Sequence, residues 1–333
     1  MKEQSFSSKI KHNNSAINFK LLFFLPAMIL GLGITLFTGC AQNQNGESRP
    51  HQLFAWVSQG DIMLFDSTTD SLRLITRGTD PSLSFDGRYL ASSFEHEKIR
   101  RISITDLETG TSSLVNEIPG SCYRPEWSPA DHELLFLALT RQDGISFRVI
   151  VIFNPITKTK KAIQVEKTNL FSPVWSTDGQ SIVAHDTQHL YEWDREGNLI
   201  NTINLEAGFG PYLFSAYSTF RKNPEGDIWL FDAVEETRIS GRTVQRNALF
   251  LLNTITGKTK KLSPEYFNVN GYCWGPDYSD ILFSGQENGS SAMGQDNSSI
   301  FRINPDGSEF SLWKENACQP TFNNFLSTFN IIP

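Results

Sequence analysis

Pro173-Val174-Trp175-Ser176-Thr177-Asp178-Gly179, followed at once by Ser181-Ile182-Val183-Ala184, is the stretch whose reading decides the fold. A strand carrying an aromatic, a tight Asp-Gly turn and a second strand make a hairpin. The pattern recurs as Pro125-Glu126-Trp127-Ser128-Pro129 before Leu134 to Leu137, and as Pro81 to Gly87 before Tyr89-Leu90-Ala91. Weaker copies lie at Phe220, at Trp274 and at Phe322. Taking Phe85, Trp127, Trp175, Phe220, Trp274 and Phe322 as anchors, the copies stand 42 to 54 residues apart.

Each copy continues into a third strand that ends in Asp or Asn, at Asp66, Asp106, Asn154, Asp194, Asn253 and Asn304. Such residues start turns by bonding their own backbone two residues on. Gly110, Gly197, Gly257 and Gly307 then supply the positive-φ position. Four strands at this period are the signature of a propeller blade, so an all-β, six-bladed β-propeller is expected. The first turn, at Asp66, precedes the first anchor, and the last anchor, Phe322, has no full blade behind it. The N- and C-terminal strands therefore complete one blade between them, which leaves no open sheet edge on the ring. Residues 323–332 are long enough for a second C-terminal strand, so both one-plus-three and two-plus-two closures stand.

Composition agrees with strands. The 333 residues include 25 Phe, 8 Tyr and 7 Trp, and short apolar runs are separated by Gly, Pro, Asn and Asp. A net charge of -7 argues against a nucleic-acid partner, which needs a basic surface.

Residues 1–39 stand apart from the repeats. Lys2, Lys9, Lys11 and Lys20 precede an apolar run from Leu21 to Phe37, which ends in Thr38-Gly39-Cys40. A positive region, an apolar region and small residues before a cleavage point are the marks of an export signal. Small residues directly before a Cys resemble the bacterial lipobox, which implies a lipoprotein signal peptide and acylation, palmitate included, at Cys40. Ala41 in the next position resembles the signal for outer-membrane sorting. Residues 40–52 are polar and read as a flexible tether, and 53–333 as the propeller domain.

The repeat Pro-x-Trp-Ser-x-Asp-Gly, an apolar strand and an Asp-x-x-x-Gly turn together resemble the TolB-type six-bladed propeller, over residues 53 to 333. That resemblance implies a docking platform in the cell envelope. Only the short tether separates Cys40 from Leu53, so TolB's N-terminal domain is expected to be lacking and its specific partners do not carry over.

Candidate sites are few. A hydrolase would need a Gly-x-Ser-x-Gly elbow, and none occurs. His96, and His185 with His189, lack companion ligands at strand spacing and read as solvated loop residues, so no metal, cofactor or catalytic residue is expected. Cys122, Cys273 and Cys318 lie just before anchors. Cys273 and Cys318 fall in neighbouring blades and could join as a disulfide in an exported compartment, with buried thiols as the alternative. The longest polar segments joining second to third strands are Thr140 to Ser146, Ala233 to Asn247 and Gly285 to Ser299. Insertions gathered on one face mark a binding face. Around the channel entrance on that face the expected residues are Tyr123, Arg124, Asn169, Phe171, Tyr212, Asn270, Tyr272 and Asn316. Two functions follow: a lipid-anchored, non-catalytic scaffold for an envelope protein or peptide, or a lyase or hydrolase acting on a saccharide or peptide in the channel.

Overall fold

The computed structural model describes residues 52–323, apart from 117, 119, 143, 166–167, 240–241 and 288–297. Residues 1–39, expected as a signal peptide, Cys40, all of the expected tether except Gln52, and residues 324–333 lie outside the described residues.

The chain begins with three strands of the last blade: β1 (Leu53–Ser58), β2 (Asp61–Asp66) and β3 (Ser71–Arg77). Blade 1 is β4 (Thr79–Leu83), β5 (Tyr89–His96), β6 (Ile99–Asp106) and β7 (Ser112–Leu114). Blade 2 is β8 (Cys122–Trp127), β9 (Leu134–Gln142), β10 (Ile145–Phe153) and β11 (Lys160–Ile163). Blade 3 is β12 (Phe171–Trp175), β13 (Ser181–His185), β14 (His189–Asp194) and β15 (Leu199–Asn204), followed by a short helix, α1 (Leu205–Phe209). Blade 4 is β16 (Phe220–Lys222), β17 (Ile228–Ile239), β18 (Arg242–Asn253) and β19 (Lys258–Lys261). Blade 5 is β20 (Phe267–Trp274), β21 (Ile281–Glu287), β22 (Ser299–Ile303) and β23 (Ser311–Lys314). Finally β24 (Cys318–Phe322) pairs with β1, so blade 6 closes as one strand from the C-terminal side and three from the N-terminal side.

The sheets are antiparallel and meet face to face. Six apolar clusters form the core, one at each contact between neighbouring blades. This is why the second strands read as continuous apolar runs: β13 is buried at all five positions, because a blade covers each of its faces.

The first turn is held by one recurring side-chain device in blades 1, 3 and 4 and again at the closure. Ser84 Oγ accepts from the Tyr89 N–H (2.8 Å), Ser176 Oγ from the Ser181 N–H (2.8 Å) and Asn223 Oδ1 from the Ile228 N–H (2.9 Å). At the closure Asn323 Oδ1 accepts from the Leu53 N–H (2.7 Å). The matching backbone bonds, Ser84 to Tyr89, Ser128 to Glu133, Ser176 to Ser181, Asn223 to Ile228 and Gly275 to Asp280, set the true register of the repeats. They correct two anchors. Leu83, not Phe85, is the counterpart of Trp127, and Lys222, not Phe220, fills that position in blade 4. Phe220 lies two residues earlier and joins Phe209, Phe231 and Trp229 between blades 3 and 4. Lys222 can replace an aromatic because its ammonium lies over the Trp229 ring (4.8 Å) and at the same time meets Glu192 (3.2 Å).

Two of the expected loops are strands. The β9–β10 ladder runs out to Gln142 opposite Ile145, and the β17–β18 ladder to Ile239 opposite Arg242. Residues 140–142 with 145–146, and residues 233–239 with 242–247, thus form two-stranded ribbons, since cross-strand bonds satisfy their backbones whatever their side-chain polarity. Of the third expected loop, Gly285 to Ser299, β21 takes in residues up to Glu287 and β22 begins at Ser299, and residues 288–297 lie outside the described residues.

Cys122 and Cys273 are thiols, so of the two alternatives for Cys273 and Cys318 the disulfide is not formed. Cys273 directly precedes its anchor, whereas Cys318 stands four residues before Phe322. At the usual strand rise that places them about 10 Å apart along the channel, beyond the reach of a disulfide. Burial pushes the Cys273 thiol up to about 12.

Candidate functional site

The innermost strands of the six blades surround a channel, and each reaches it through the same register position. Asp80, Arg124, Ser172, Thr219, Gly271 and Gln319 are equivalent, three residues before the anchors. Four of them precede proline, as Asp80-Pro81, Arg124-Pro125, Ser172-Pro173 and Gln319-Pro320, and these four have φ of +53°, +53°, +47° and +54°. The ladders slip at this point, between Thr79 and Ser82, Tyr123 and Glu126, and Phe171 and Val174. Such bulges re-aim side chains at a cost of about 1–3 kcal/mol for each left-handed residue. Here they deliver Asp80, Arg124 and Ser172 to the wall of a cavity of about 160 Å³.

Charge in the channel is arranged in layers. At the outer level Gln319 Nε2 donates to Asp80 Oδ1 (3.1 Å), and its Oε1 accepts from the Asp80 N–H (2.8 Å). The Arg124 guanidinium donates to Ser172 Oγ and to the Tyr217 carbonyl (3.5 Å), and stands 6.0 Å from the Tyr217 ring. Below it, Glu126 is held by Arg221 (2.7 Å) and by the Trp175 N–H (3.0 Å). Lys222 and Glu192 follow at the inner level. Among the described residues Arg124 is thus the channel cation with no carboxylate in ion-pair range. No group of His, Cys, Asp and Glu among the described residues could hold a metal ion.

Comparison with protein-family profiles and with curated proteins finds no match. Solved structures do match. TolB from Acinetobacter baumannii superposes with a TM-score of 0.59 at 15% identity, over 84% of this chain and 69% of that one. A structure described as TolB, from Agrobacterium tumefaciens, gives 0.55 at 13% identity, over 80% and 90%. A chain of a nidogen/laminin complex gives 0.53 at 9% identity, over 82% and 99%. The fold is that of the TolB propeller.

Within this TolB-type ring, blade 4 departs from the pattern. Its innermost strand, β16, has three residues, so the preceding segment Ser215 to Thr219 has no full ladder to satisfy it. Side chains from four blades do so instead. Ser172 Oγ donates to the Ala216 carbonyl (3.2 Å), Arg124 to the Tyr217 carbonyl, His185 Nε2 to the Ser218 carbonyl (2.8 Å) and the Tyr272 hydroxyl to the Thr219 carbonyl (2.5 Å). The Thr219 N–H donates to Asp232 Oδ1 (2.7 Å). The segment is a strap laid across the channel mouth.

Three of its holders, His185, Asp232 and Tyr272, are buried titratable groups, and the first two titrate in the acid range. His185 is fully buried at the end of β13, not a solvated loop residue as its sequence context suggests. The Thr187 N–H donates to its Nδ1 (3.1 Å), which leaves the proton on Nε2 and the ring neutral. Burial lowers its pKa to about 4. Asp232, also buried, is raised to about 6 by burial, against the opposing bonds from Thr219 and Tyr272.

The structure brings Arg124 to Ser172 and Tyr217, but it scatters the other expected mouth residues. Tyr123 lies under Arg100 (5.7 Å) and Phe171 under Arg148 (5.4 Å). Asn169 Oδ1 accepts from the Arg148 N–H (3.1 Å). Tyr212 packs on Phe250 (4.7 Å), and Tyr272 is 8% exposed, so its hydroxyl serves the strap and its ring offers little free surface. Asn270 is exposed and bonds Ser298 and Ser284, and Asn316 is exposed beside β24. Sequence reasoning missed Asp80, Ser172, Tyr217, His185, Asp232 and Gln319. One signal was available: Asp80, Ser172 and Gln319 each stand before the proline that marks the repeat.

Proposed function

We propose that this chain is a lipid-anchored, non-catalytic propeller of the cell envelope, whose channel-mouth face binds a protein or peptide partner through a carboxylate. The observation that carries the reading is Arg124. Among the described residues no carboxylate lies within ion-pair distance of its guanidinium, which stands at the mouth beside the Tyr217 ring, itself 59% exposed. A guanidinium and an exposed aromatic together fit an acidic side chain or a terminal carboxylate attached to apolar chain. The ribbons β9–β10 and β17–β18 rise from the same face and supply walls. Acid–base chemistry in the channel would fall to Glu126 or Asp80, of which Glu126 is committed to Arg221 and Trp175 while Asp80 is bonded by Gln319.

Capture of partners from the native membrane, after crosslinking, tests the face. Arg124→Glu is expected to reduce capture about tenfold, while Arg124→Lys retains part of it, with melting curves of both variants showing that the ring is intact. Undiminished capture by Arg124→Glu, together with loss on changing the opposite face at Asp66, Asp106 and Asp194, would overturn the reading.

Anchoring is tested separately. Cys40→Ser should move the chain out of the membrane fraction and remove acyl mass from its N-terminal peptide. An acylated Cys40→Ser chain, or a native mature N-terminus lying elsewhere, would refute anchoring at Cys40.

A further inference from the structure

The β17–β18 ribbon outruns the rest of its blade, with twelve residues in each strand against three in β16. Beyond β16 the inner edge of β17 is met once more, where the Val234 N–H donates to the Leu213 carbonyl (2.7 Å). That bond fixes the phase of the strand, because successive backbone groups point to opposite edges. The Ile228 carbonyl, which accepts from the Asn223 N–H, has the same parity. Glu236 and Arg238 therefore turn their N–H and C=O groups to the inner edge, and among the described residues nothing bonds them. Both side chains are exposed, and neither forms an ion pair among the described residues; Glu236 takes one bond, from Gln245 Nε2 (3.0 Å).

An open edge of this kind is a template for another strand. We propose that it pairs with the same edge of a second copy of this chain, antiparallel about a two-fold axis at Thr237. Register and charge select that occupant. Bonds form only where inner-facing residues meet inner-facing residues. Centring the axis on Glu236 or on Arg238 would set like charges against each other. Centring it on Thr237 places Glu236 opposite the partner subunit's Arg238, and Arg238 opposite the partner subunit's Glu236. Each such pair exchanges two N–H···O bonds, so every open backbone group of Glu236 and Arg238 gains a partner while the charges neutralise. The contact is isologous and closed, as a symmetric dimer requires. Two short strands bury less than the roughly 1,200 Å² typical of stable complexes, so the dimer is weak and concentration-dependent. The inference is independent of the partner binding proposed above.

The two-fold position provides the test. Residues facing each other across the axis form a non-hydrogen-bonded pair with Cα atoms about 4.5 Å apart, which suits a disulfide. The full-length chain with Thr237→Cys, oxidised in its membrane, is expected to run as a covalent dimer on a non-reducing gel. Adding Glu236→Arg, or Arg238→Glu, should cut the dimer yield at least about fivefold through like-charge opposition. Both reversals together should restore it. Absence of the Thr237→Cys dimer, indifference to single reversal, or failure of the double reversal to restore the yield would each overturn the proposal. The reversals lie on exposed positions, and unchanged melting confirms that the yields report pairing.

Discussion

A chain that stops after Ala317 is expected to lose its cooperative native state, because β24 ties three blades together. It pairs with β1 through Phe54 opposite Phe322 and Ala55 opposite Thr321, and the Phe54 and Phe322 rings meet at 4.6 Å. Gln319 bonds Asp80 of blade 1 twice, and its N–H donates to Ser284 of blade 5 (3.2 Å). Removal would strip apolar cover from the clusters on both sides of blade 6, at about 1.5–3 kcal/mol for each buried side chain. It would also orphan polar groups at Leu53 and Asp80, at about 1–3 kcal/mol each. Such a sum is comparable with the whole stability of a domain, about 5–15 kcal/mol. Phe322→Ala alone, at a half-buried site, should cost about 2 kcal/mol. Near-UV circular dichroism during thermal unfolding is the measurement. A stop after Asn323 separates β24 from the residues beyond it. An unchanged transition in the chain ending at Ala317 would show that closure does not hold the ring.

The strap gives the second large effect, and it is one of sign. His185 has a folded pKa of about 4 against an ordinary value of 6.5. As pH falls from 6.5 towards 4 the unfolded chain takes up a proton that the native chain refuses, so stability drops by about 3 kcal/mol. Asp232 acts the other way. Its folded pKa of about 6 lies above 3.8, so between pH 6 and 3.8 the native chain keeps a proton that the unfolded chain has released. Stability gains about 3 kcal/mol on acidification across that window, and loses it as pH rises again. The two contributions oppose each other between pH 6 and 4, so their joint pH dependence in the wild type is small.

Asp232→Asn keeps an acceptor for the Thr219 N–H but no longer titrates. It should expose the His185 contribution as a steeper loss of stability from pH 6.5 to 4. His185→Gln should leave the Asp232 contribution, so its stability relative to wild type should improve as pH falls from 6 to 4. Urea unfolding across pH 4 to 7, read as differences from wild type, removes the shared background of carboxylates such as Asp86 and Asp186, whose pKa values are lowered. Identical pH slopes in both variants and the wild type would refute the assignment.

Much of the fold is legible along the chain. The spacing of anchors, the turn starts at Asp66, Asp106 and Asn154 and the glycines after them are local signals, satisfied within a few residues of chain. The Asp106 side chain, for instance, accepts from the N–H groups of Glu108 and Thr109 (3.0 Å each). All-β class, six repeats and closure through the two ends follow from such signals alone. The anchors at Phe85 and Phe220 failed because an aromatic near the right place imitates the repeat, while the register is set by which N–H the turn residue bonds. The ribbons read as loops because polarity reports solvent, not whether a backbone is paired.

Sequence by itself therefore determined the blade, the number of blades and that the ring closes through its two ends, since each of these rests on bonds between neighbours in the chain or on a pattern repeated along it, whereas the one-plus-three share of strands came from the structure. Tertiary structure alone decided the site. Arg124 meets the Tyr217 carbonyl, His185 the Ser218 carbonyl, Asp232 the Thr219 N–H and Tyr272 the Thr219 carbonyl. Most of these groups come from different blades, and no local pattern encodes their meeting. They share the channel mouth because ring closure sets six innermost strands around one axis, and because the shortness of β16 leaves a stretch of backbone whose carbonyls are met by side chains from the other blades.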